Sequence, residues 1–437
     1  MMDVEIYLAA HIPHAQDICF SGEDFLMRTK ALAEALGDPQ EKCKVVHIAG
    51  TSGKGSTAFM ITTLLVASGQ KTGLFTSPHL ISVRERFVID DEMISEEKFL
   101  QYFVEIKDAA ESLRDTQCGM PSYFEILTVL AYHIFAQEGC CYAVMETGIG
   151  GRCDATNIAQ RSDKVVVITP IGLDHTKILG ETIDLIATEK AGIIHEDNLV
   201  FIAPQNAIAR DIVRDKTLSC NAQIILLRKN DISDIDLSEE GTRFTWKNRG
   251  ETKEIAIKQI GICQAYNAAL AISVADSLSE RDQFALCDIN KALSKKIFSG
   301  RFDIRKRAGK TVILDGAHNP QKMTALVESF MKLYPHEKCT VVFAAKEKKD
   351  YKAMLTLLAP ITCNLIITQF GNSEQDYQSS SVDTDILTKE AKMIGYTDLI
   401  TAATVETALE KAQKQGNKKI LVTGSLYLVG KMQDSIK

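Results

Sequence analysis

The stretch VVHIAGTSGKGST, residues 45–57, carries an apolar run into a glycine-rich turn that holds a lysine between two glycines. The common phosphate-loop pattern has a glycine five positions before its Gly-Lys pair, but Ile48 occupies that place and the first glycine is Gly50. Glycines let successive backbone N–H groups turn toward one anion, and the following helix adds its positive end. The stretch therefore predicts a shortened phosphate loop, with a plain strand-to-helix turn as the alternative.

Length and composition predict an ordinary globular protein of two domains. The 437 residues exceed what one compact core usually holds, while 45% apolar and 24% charged residues are average values. The net charge of −7 gives no basic face for nucleic acid, and no apolar run approaches the roughly 20 residues that span a bilayer. The N-terminus shows no signal-peptide pattern, and the eleven cysteines include no CxxC pair. We expect a cytoplasmic protein with free thiols and no membrane or nucleic-acid partner.

The order of apolar patterns predicts an α/β fold with mostly parallel sheets. Buried strands are predicted in KVVHIAG, CYAVMETG, KVVVITPIG and NLVFIAP, with crossover helices such as STAFMITTLLVASG between them. A hairpin is predicted in GTRFTWKNRGETKEIAIK, and a second alternation begins at TVILDGAHNP. We predict a phosphate-loop domain over residues 1–297, a linker at 298–300, and a smaller Rossmann-like domain over 301–437.

The loop at Gly50 has the residue types that bind a nucleotide. Lys54 can reach the terminal phosphates, and a hydroxyl at the start of the helix can ligate Mg²⁺. The residues assigned to the phosphates are Gly50, Thr51, Ser52, Gly53, Lys54, Gly55, Ser56 and Thr57.

Polar residues follow three further predicted strands. Glu146 ends a buried strand, where a hard cation would need an oxygen ligand, and Asp174 and His175 follow the next strand. In the second domain, Asp315 and His318 follow a strand in the same way. Ligands bind at the carboxyl ends of such strands, so we expect a cleft between the domains with a nucleotide on one side. The alternatives are satisfied ion pairs and ordinary capping turns.

Nine motifs together resemble a known family. They are GTSGKGST, TSPHL, SYFEILTVLAY, ETGIGGRCDATN, IGLDHTKILGETIDLIATEKAG, QAYNAALA, SGRFDI, LDGAHNP and GSLYLVG, in that order over residues 45–430. This series resembles the folylpolyglutamate synthases and dihydrofolate synthases of the Mur ligase superfamily. That superfamily uses GTxGKG[ST], which accounts for the shortened loop. The resemblance implies a Mur-ligase-like ATP-binding domain followed by a glutamate-ligase domain.

The resemblance also implies the reaction. An ADP-forming ligase would join the carboxylate of a folate or dihydropteroate to the amino group of L-glutamate through an acyl phosphate. ATP, two Mg²⁺ ions and a monomeric chain are implied as well. The residues leave open whether dihydropteroate, a reduced folate or both are accepted.

Site roles carry over motif by motif. The implied Mg²⁺ ligands are Ser56, Ser77, Glu146 and His175, joined by a carbamylated Lys190. Gln264 and Asn267 would contact adenine. The implied catalytic residues are Lys54, Lys190, Arg301, Asp315 and His318, of which the last three would close over phosphates and ribose. The pterin side is assigned to Arg84, Tyr123, Phe124, Arg152 and Asp154.

Three departures and two alternatives complete the prediction. Ser52 replaces the usual asparagine, FSGRFD replaces the frequent WPGR, and His195 stands where lysine is common. A Mur-type cell-wall ligase would need an additional N-terminal domain, and only 44 residues precede the first predicted strand. A nucleotide-driven motor or binding protein would need neither the Glu146–His175 cluster nor DGAHNP.

Overall fold

The computed structural model describes residues 1–13, 26–371, 373–375 and 377–436. They form two α/β domains, the larger with an eight-stranded and a three-stranded sheet and the smaller with a six-stranded sheet. Within these described ranges, the search for a helix long and apolar enough to cross a bilayer found none.

The eight-stranded sheet is the frame of the N-terminal domain. Its strand order is β4-β3-β2-β5-β1-β6-β7-β8; β3 is antiparallel to both of its neighbours, β2 and β4, and all other neighbouring strands are parallel. The strands are β1 Lys44–Ala49, β2 Thr72–Phe75, β3 Phe87–Ile89, β4 Glu92–Met93, β5 Tyr142–Glu146, β6 Val165–Ile168, β7 Leu199–Ile202 and β8 Gln223–Leu226.

Helices cover both faces of this sheet, as a parallel sheet requires. They are α1 Met2–Ala9, α2 Met27–Ala35, α3 Lys54–Ala67, α4 Glu96–Ser112, α5 Tyr123–Gln137, α6 Thr176–Leu179, α7 Ile183–Ala191, α8 Ala207–Ser219, α9 Ile262–Asp282 and α10 Ile289–Leu293. Alternate side chains of β1 point to opposite faces of the sheet. Val46 and Ile48 pack with α3 and α9, whereas Val45 packs with α4 and α5.

Helix α3 is apolar on nearly every side because it lies between the sheet and α9. The alanines of α9, among them Ala268 and Ala271, let the two helices approach closely. A three-stranded antiparallel sheet, β9 Ile232–Ser238, β10 Gly241–Asn248 and β11 Glu251–Ile257, covers the outer side of α9. The predicted hairpin is therefore confirmed and extended by one strand.

The C-terminal domain has the strand order β12-β13-β19-β14-β15-β18, with only β12 antiparallel to its neighbour. Its strands are β12 Asp303–Arg307, β13 Lys310–Leu314, β14 Cys339–Phe343, β15 Thr362–Ile367, β18 Leu399–Thr401 and β19 Lys419–Thr423, beside a small ribbon of β16 Ser373–Gln375 and β17 Tyr377–Ser379. Its helices are α11 Pro320–Leu333, α12 Tyr351–Leu358, α13 Thr384–Ile394, α14 Val405–Lys414 and α15 Leu426–Ile436. The predicted fold class is confirmed.

One buried lysine makes the free energy of unfolding depend on pH. Lys164, at the start of β6, is fully buried with its Nζ donating to the carbonyl of Ala159 at 2.8 Å, and burial lowers its pKa to about 7. The unfolded chain binds a proton here up to about pH 10.4, so between pH 7 and 10 it binds more protons than the folded chain. Wild-type stability therefore rises with pH in that window.

We expect Lys164→Met to remove this rise. The variant's stability relative to wild type should be greatest at pH 7 and should fall by about 1.4 kcal/mol per pH unit toward pH 10. Urea unfolding of both proteins at pH 7, 8 and 9 measures the difference, with the exposed Lys352→Met as control. A difference that is independent of pH would show that Lys164 is charged in the folded chain.

Candidate active site

The phosphate loop and two acidic loops meet because their strands are neighbours. Strand β1 pairs in parallel with β5 on one side and β6 on the other, and Ile48 stands opposite Glu146 while Ala49 stands opposite Ile168. All three strands end at the same edge of the sheet. The loops after Ala49, Glu146 and Ile168 therefore share one site.

The loop after β1 requires glycine at its two bends. Gly50 has a φ of +153°, and a Cβ there would lie 1.9 Å from Thr169 Oγ1. Gly53 has a φ of +88°, and its Cβ would lie 2.6 Å from Asn267 Oδ1. The amides of Thr51 and Ser52 both donate to the Pro170 carbonyl. Anion binding thus falls to the amides at the start of α3, which have no partners within the helix.

Lys54, the first residue of α3, faces the carboxylate of Glu146. Its Nζ lies 3.8 Å from Glu146 Oε1, and Glu146 Oε2 accepts the Ser77 amide at 3.2 Å. Burial raises the pKa of Glu146, and Lys54 opposes that rise. A buried carboxylate held by one amide and one distant lysine retains the capacity to ligate a cation.

The C-terminal domain repeats this arrangement across the cleft. Strands β13, β19 and β14 are neighbours in that order and parallel, so the loops that follow them also meet. The loop after β13 carries His318, the loop after β19 carries Ser425, and the loop after β14 carries Lys346 and Lys349.

Three hydrogen bonds or ion pairs join the two sets of loops. Asp174 of the N-terminal domain pairs with Lys349 and accepts from Asn319 Nδ2 at 2.9 Å. Ser52 Oγ donates to Gln321 Oε1 at 2.9 Å. Both side chains of the Asp174–Lys349 pair are about nine-tenths buried. The cleft is therefore closed on the side of Asp174.

A cavity of about 260 Å³ lies between the joined loops. Four carboxylates line it, against seven cationic side chains: Arg28, Lys54, Lys190, Arg301, Lys322, Lys346 and Lys349. Burial, helped by neighbouring lysines, lowers the pKa of Lys190 and of Lys322 to about 7. This excess of positive charge fits a polyanionic ligand.

Two cavity histidines are neutral. Burial, with Lys349 nearby, lowers the pKa of His175 to about 3. Burial and Lys322 hold the pKa of His318 well below its ordinary value. His318 Nδ1 donates to the Gly316 carbonyl at 2.7 Å, so its Nε2 accepts from Lys322 Nζ at 3.0 Å. The Nε2 lone pair of His318 is therefore engaged by Lys322.

Of the residues predicted for the pterin side, the structure places Phe124 and Asp154 in the cavity wall. The other three lie outside that wall. Arg84 Nη1 donates to the Ile94 carbonyl, the buried Tyr123 ring packs against Arg86, and Arg152 pairs with Glu189 at 2.8 Å. The assignment of these five residues to the pterin side stays a prediction.

The residues predicted to bind the nucleotide also differ in whether they line the cavity. Gly50, Thr51 and Lys54 line the cavity, while Ser56 and Thr57 are buried in the first turn of α3. Gln264 Oε1 accepts from Asn267 Nδ2 at 3.0 Å at the start of α9, directly beside Gly53.

The C-terminal residues predicted to close over the nucleotide also differ in whether they line the cavity. Arg301 and His318 line the cavity, whereas Asp315 accepts the amides of Phe302 and Ala317, both at 2.8 Å. The Arg301 guanidinium lies 5.7 Å from the Phe298 ring, which stacks on Phe59 of α3. Asp315 therefore shapes the loop that carries His318.

Sequence reasoning missed several residues of the wall, chiefly Lys322, Lys349 and Ser425. The signal for two of them was present, because Lys349 and Ser425 follow predicted strands, CTVVFAA and KKILVTGS, as His318 does. Lys322 stands on the first turn of α11, where the sequence alone gave no reason to prefer it to its neighbours.

Comparison with known proteins agrees with this architecture. Residues 48–275 match the Mur ligase middle domain, and residues 301–435 match the dihydrofolate synthetase C-terminal domain. The dihydrofolate synthase/folylpolyglutamate synthase of Bacillus subtilis (strain 168) is 31% identical over 94% of this chain and 95% of its own length.

Two solved structures are similar over nearly the full length. Mycobacterium tuberculosis folylpolyglutamate synthase complexed with ADP has a TM-score of 0.89 at 27% identity, covering 100% of this chain and 98% of its own. An FPGS–AMPPCP–folate complex has a TM-score of 0.81 at 28% identity, covering 99% and 98%.

Fold, phosphate loop and inter-domain cavity together define an ATP-dependent, ADP-forming ligase of the Mur ligase superfamily. Within that superfamily, the chain belongs to the folylpolyglutamate synthase and dihydrofolate synthase family. Its activity is the ATP-dependent ligation of glutamate to a folate-type carboxylate.

We expect Asp174→Asn to open the cleft in the nucleotide-free protein. Removing one partner of a buried ion pair costs about 3 kcal/mol and leaves Lys349 among other cations. Small-angle scattering should show a larger radius of gyration than wild type, and limited proteolysis should be faster. Asp211→Asn, which removes exposed pairs with Arg210 and Arg214, is the control. An unchanged scattering curve would show that Asp174 does not hold the domains together.

Proposed function

We propose that this chain binds MgATP and a folate or dihydropteroate in the inter-domain cavity and joins the acceptor carboxylate to L-glutamate. The observation that supports this most directly is the convergence of Lys54, from one domain, with His318, Lys322 and Lys349, from the other, on a single cavity. Phosphoryl transfer depends chiefly on positioning and on cations around the transferred group. Both walls come from one chain, so a monomer is sufficient for activity.

ATP would bind with its phosphates at the start of α3 and its adenine near Gln264 and Asn267. Lys54 would reach the β- and γ-phosphates, and Arg301 would approach from the other domain. The acceptor carboxylate then attacks the γ-phosphorus, ADP leaves, and an acyl phosphate forms. Phosphorylation removes the negative charge that makes a carboxylate a poor electrophile.

The residues around Glu146 fit Mg²⁺. Ser77 and Glu146 already touch, since the Ser77 amide donates to Glu146 Oε2 at 3.2 Å, and neutral His175 lines the same cavity. Among the described residues, no group of three or more His, Cys, Asp and Glu side chains is placed to hold a metal ion. Protein-bound Mg²⁺ usually has one or two carboxylate ligands and retains water and phosphate oxygens. When bound, Mg²⁺ neutralises phosphate charge; Ser56 would hold the nucleotide's ion.

Lys190 has the environment that carbamylation requires. Only an unprotonated amine reacts with CO₂, and burial lowers the pKa of Lys190 to about 7. The amine nitrogen bonds to the CO₂ carbon and loses a proton, so a cation becomes a carboxylate. We propose that this carboxylate reduces the excess positive charge of the wall and adds an oxygen ligand for Mg²⁺.

L-Glutamate would enter from the C-terminal side of the cavity. Lys346 and Lys349, with the Ser425 hydroxyl, offer partners for its carboxylates. The α-amino group must lose a proton before it attacks the acyl phosphate. His318 Nε2, which Lys322 holds as an acceptor, stands in the same wall as a candidate for that proton.

The acceptor would lie against Phe124 and Asp154, which line the same cavity. An aromatic ring and an accepting carboxylate suit a flat heterocycle that carries N–H donors.

For the domain division, we propose residues 1–297 and 301–437 with 298–300 between them, because β12 begins at Asp303 and the matched C-terminal model begins at residue 301.

The first experiment is glutamate-dependent ADP release with ATP and Mg²⁺, using dihydropteroate in one reaction and tetrahydrofolate in another. Release with both identifies a bifunctional enzyme, and release with one identifies the single activity. Removing Mg²⁺ with chelator should abolish the signal in every case. If neither acceptor supports ADP release, the assignment of the acceptor fails.

We expect Lys54→Ala and His318→Ala to lose activity by different routes. Lys54→Ala should weaken ATP binding and reduce turnover about a hundredfold or more, whereas His318→Ala should bind ATP normally and lose turnover. Calorimetric titration with ATP and the ADP-release assay separate the two effects. Lys71→Ala, a half-exposed lysine paired with Glu138, is the matched control. Wild-type turnover by either active-site variant would remove that residue from the mechanism.

A further inference from the structure

A chain of hydrogen bonds joins a buried histidine of β1 to the cavity carboxylate of Asp154. His47 Nε2 lies 2.7 Å from Thr156 Oγ1, and Thr156 Oγ1 lies 2.5 Å from Asp154 Oδ1. His47 and Thr156 are fully buried, and Asp154 is 4% exposed. Bulk water therefore does not compete for these bonds.

The direction of the bonds follows from the other donors to Asp154. Its Oδ1 also accepts the Thr156 amide at 3.1 Å, and its Oδ2 accepts the Ile149 amide at 2.9 Å. Burial raises the pKa of Asp154, and these hydrogen bonds oppose that rise by favouring the ionised form. Both carboxylate oxygens thus accept amide hydrogens, and the Thr156 hydroxyl donates its single hydrogen to Asp154 Oδ1.

The same argument fixes the tautomer of His47. Because the Thr156 hydrogen is directed at Asp154, Thr156 Oγ1 must accept from His47 Nε2–H. Burial, with Lys164 nearby, holds the pKa of His47 well below its ordinary value, so the ring is neutral. His47 is therefore the Nε2–H tautomer, with a lone pair on Nδ1.

These bonds fix both carboxylate oxygens. Oδ1 accepts the hydroxyl and the amide of Thr156, and Oδ2 accepts the Ile149 amide, while the Gly148 amide is also directed at the carboxylate. Asp154 lines the cavity together with Phe124. The Phe124 ring is held against Gly148, where an added Cβ would lie 2.6 Å from the ring.

We propose that His47 is a positioning residue for the acceptor substrate: acting through Thr156, it fixes the Asp154 carboxylate in the part of the cavity wall against which the acceptor's heterocycle would lie. This inference rests on the proposed function, which places the pterin at this part of the cavity wall. His47 touches neither ATP nor the reacting carboxylate in this arrangement. Its effect is therefore confined to acceptor binding.

His195 provides a matched control. It is also a histidine bonded to the 3₁₀ turn Ala155–Ile158, through Nε2 and Asn157 Oδ1 at 3.0 Å. Asn157 Nδ2 in turn donates to the carbonyls of Arg152 and Gly192, and Asn157 is outside the cavity wall. A general loosening of this turn would follow from either histidine, whereas an effect on Asp154 requires His47.

The kinetic test compares His47→Leu, His47→Gln and His195→Gln. Leucine removes the donor, so one hydrogen bond in the chain to the Asp154 carboxylate is lost. We expect KM for the acceptor to rise about tenfold as a result, while kcat and KM for ATP stay unchanged. Glutamine keeps an amide donor and should restore most of the affinity, and His195→Gln should match wild type. Equal changes in both KM values, or an acceptor KM that His47→Leu leaves unchanged, would overturn the proposal.

The hydrogen-bond direction can be tested without turnover. In ¹⁵N-histidine NMR spectra, the signal that His47→Gln removes should have the pattern of a neutral Nε2–H tautomer. An Nδ1–H tautomer would mean that Thr156 donates to His47 and not to Asp154, which contradicts the inference. Absence of turnover by wild type with either acceptor would defeat the proposed function instead, a result the NMR measurement keeps separate.

Discussion

The parallel pairing of β1 with both β5 and β6 is the constraint on which the rest of this site depends. Parallel neighbours need crossover connections, so β1 at Lys44–Ala49 lies beside β5 at Tyr142–Glu146, nearly a hundred residues away. That pairing brings the phosphate loop to Glu146 and to the loop of His175. A one-residue slip in register would turn Glu146 to the opposite face of the sheet and separate it from Lys54.

Electrostatics then link the site to domain closure. The cavity wall has more cations than carboxylates, so the lysines of the two domains repel each other across the cleft unless an anion lies between them. Asp174 is the protein's own anion at this position, since it pairs with Lys349 and accepts from Asn319. A bound nucleotide would add further negative charge and stabilise the closed form by the same electrostatic attraction to the lysines.

The sequence predicted the strands and the loop positions well, because both depend on local pattern. Glycines at Gly50 and Gly53, and the polar residues after each strand, mark the carboxyl edge wherever the chain places it. Side-chain direction depends on contacts from distant segments, which a local sequence pattern does not contain. Arg84 and Arg152 stand in the expected motifs, yet their side chains bond to Ile94 and Glu189 instead of facing the cavity. Lys322 was missed for the same reason, because its bond to His318 exists only in the folded loop.

Two parts of the cavity wall are built differently, and this bears on acceptor choice. The part at the phosphate loop has backbone amides of α3 and long cationic side chains such as Lys54. The part at Asp154 has a carboxylate fixed by hydrogen bonds to Thr156 and Ile149, and the ring of Phe124. Dihydropteroate and folates share the heterocycle that would bind there and differ in where the reactive carboxylate lies. In the proposed arrangement, discrimination between them therefore falls to the cavity wall between Asp154 and the phosphate loop.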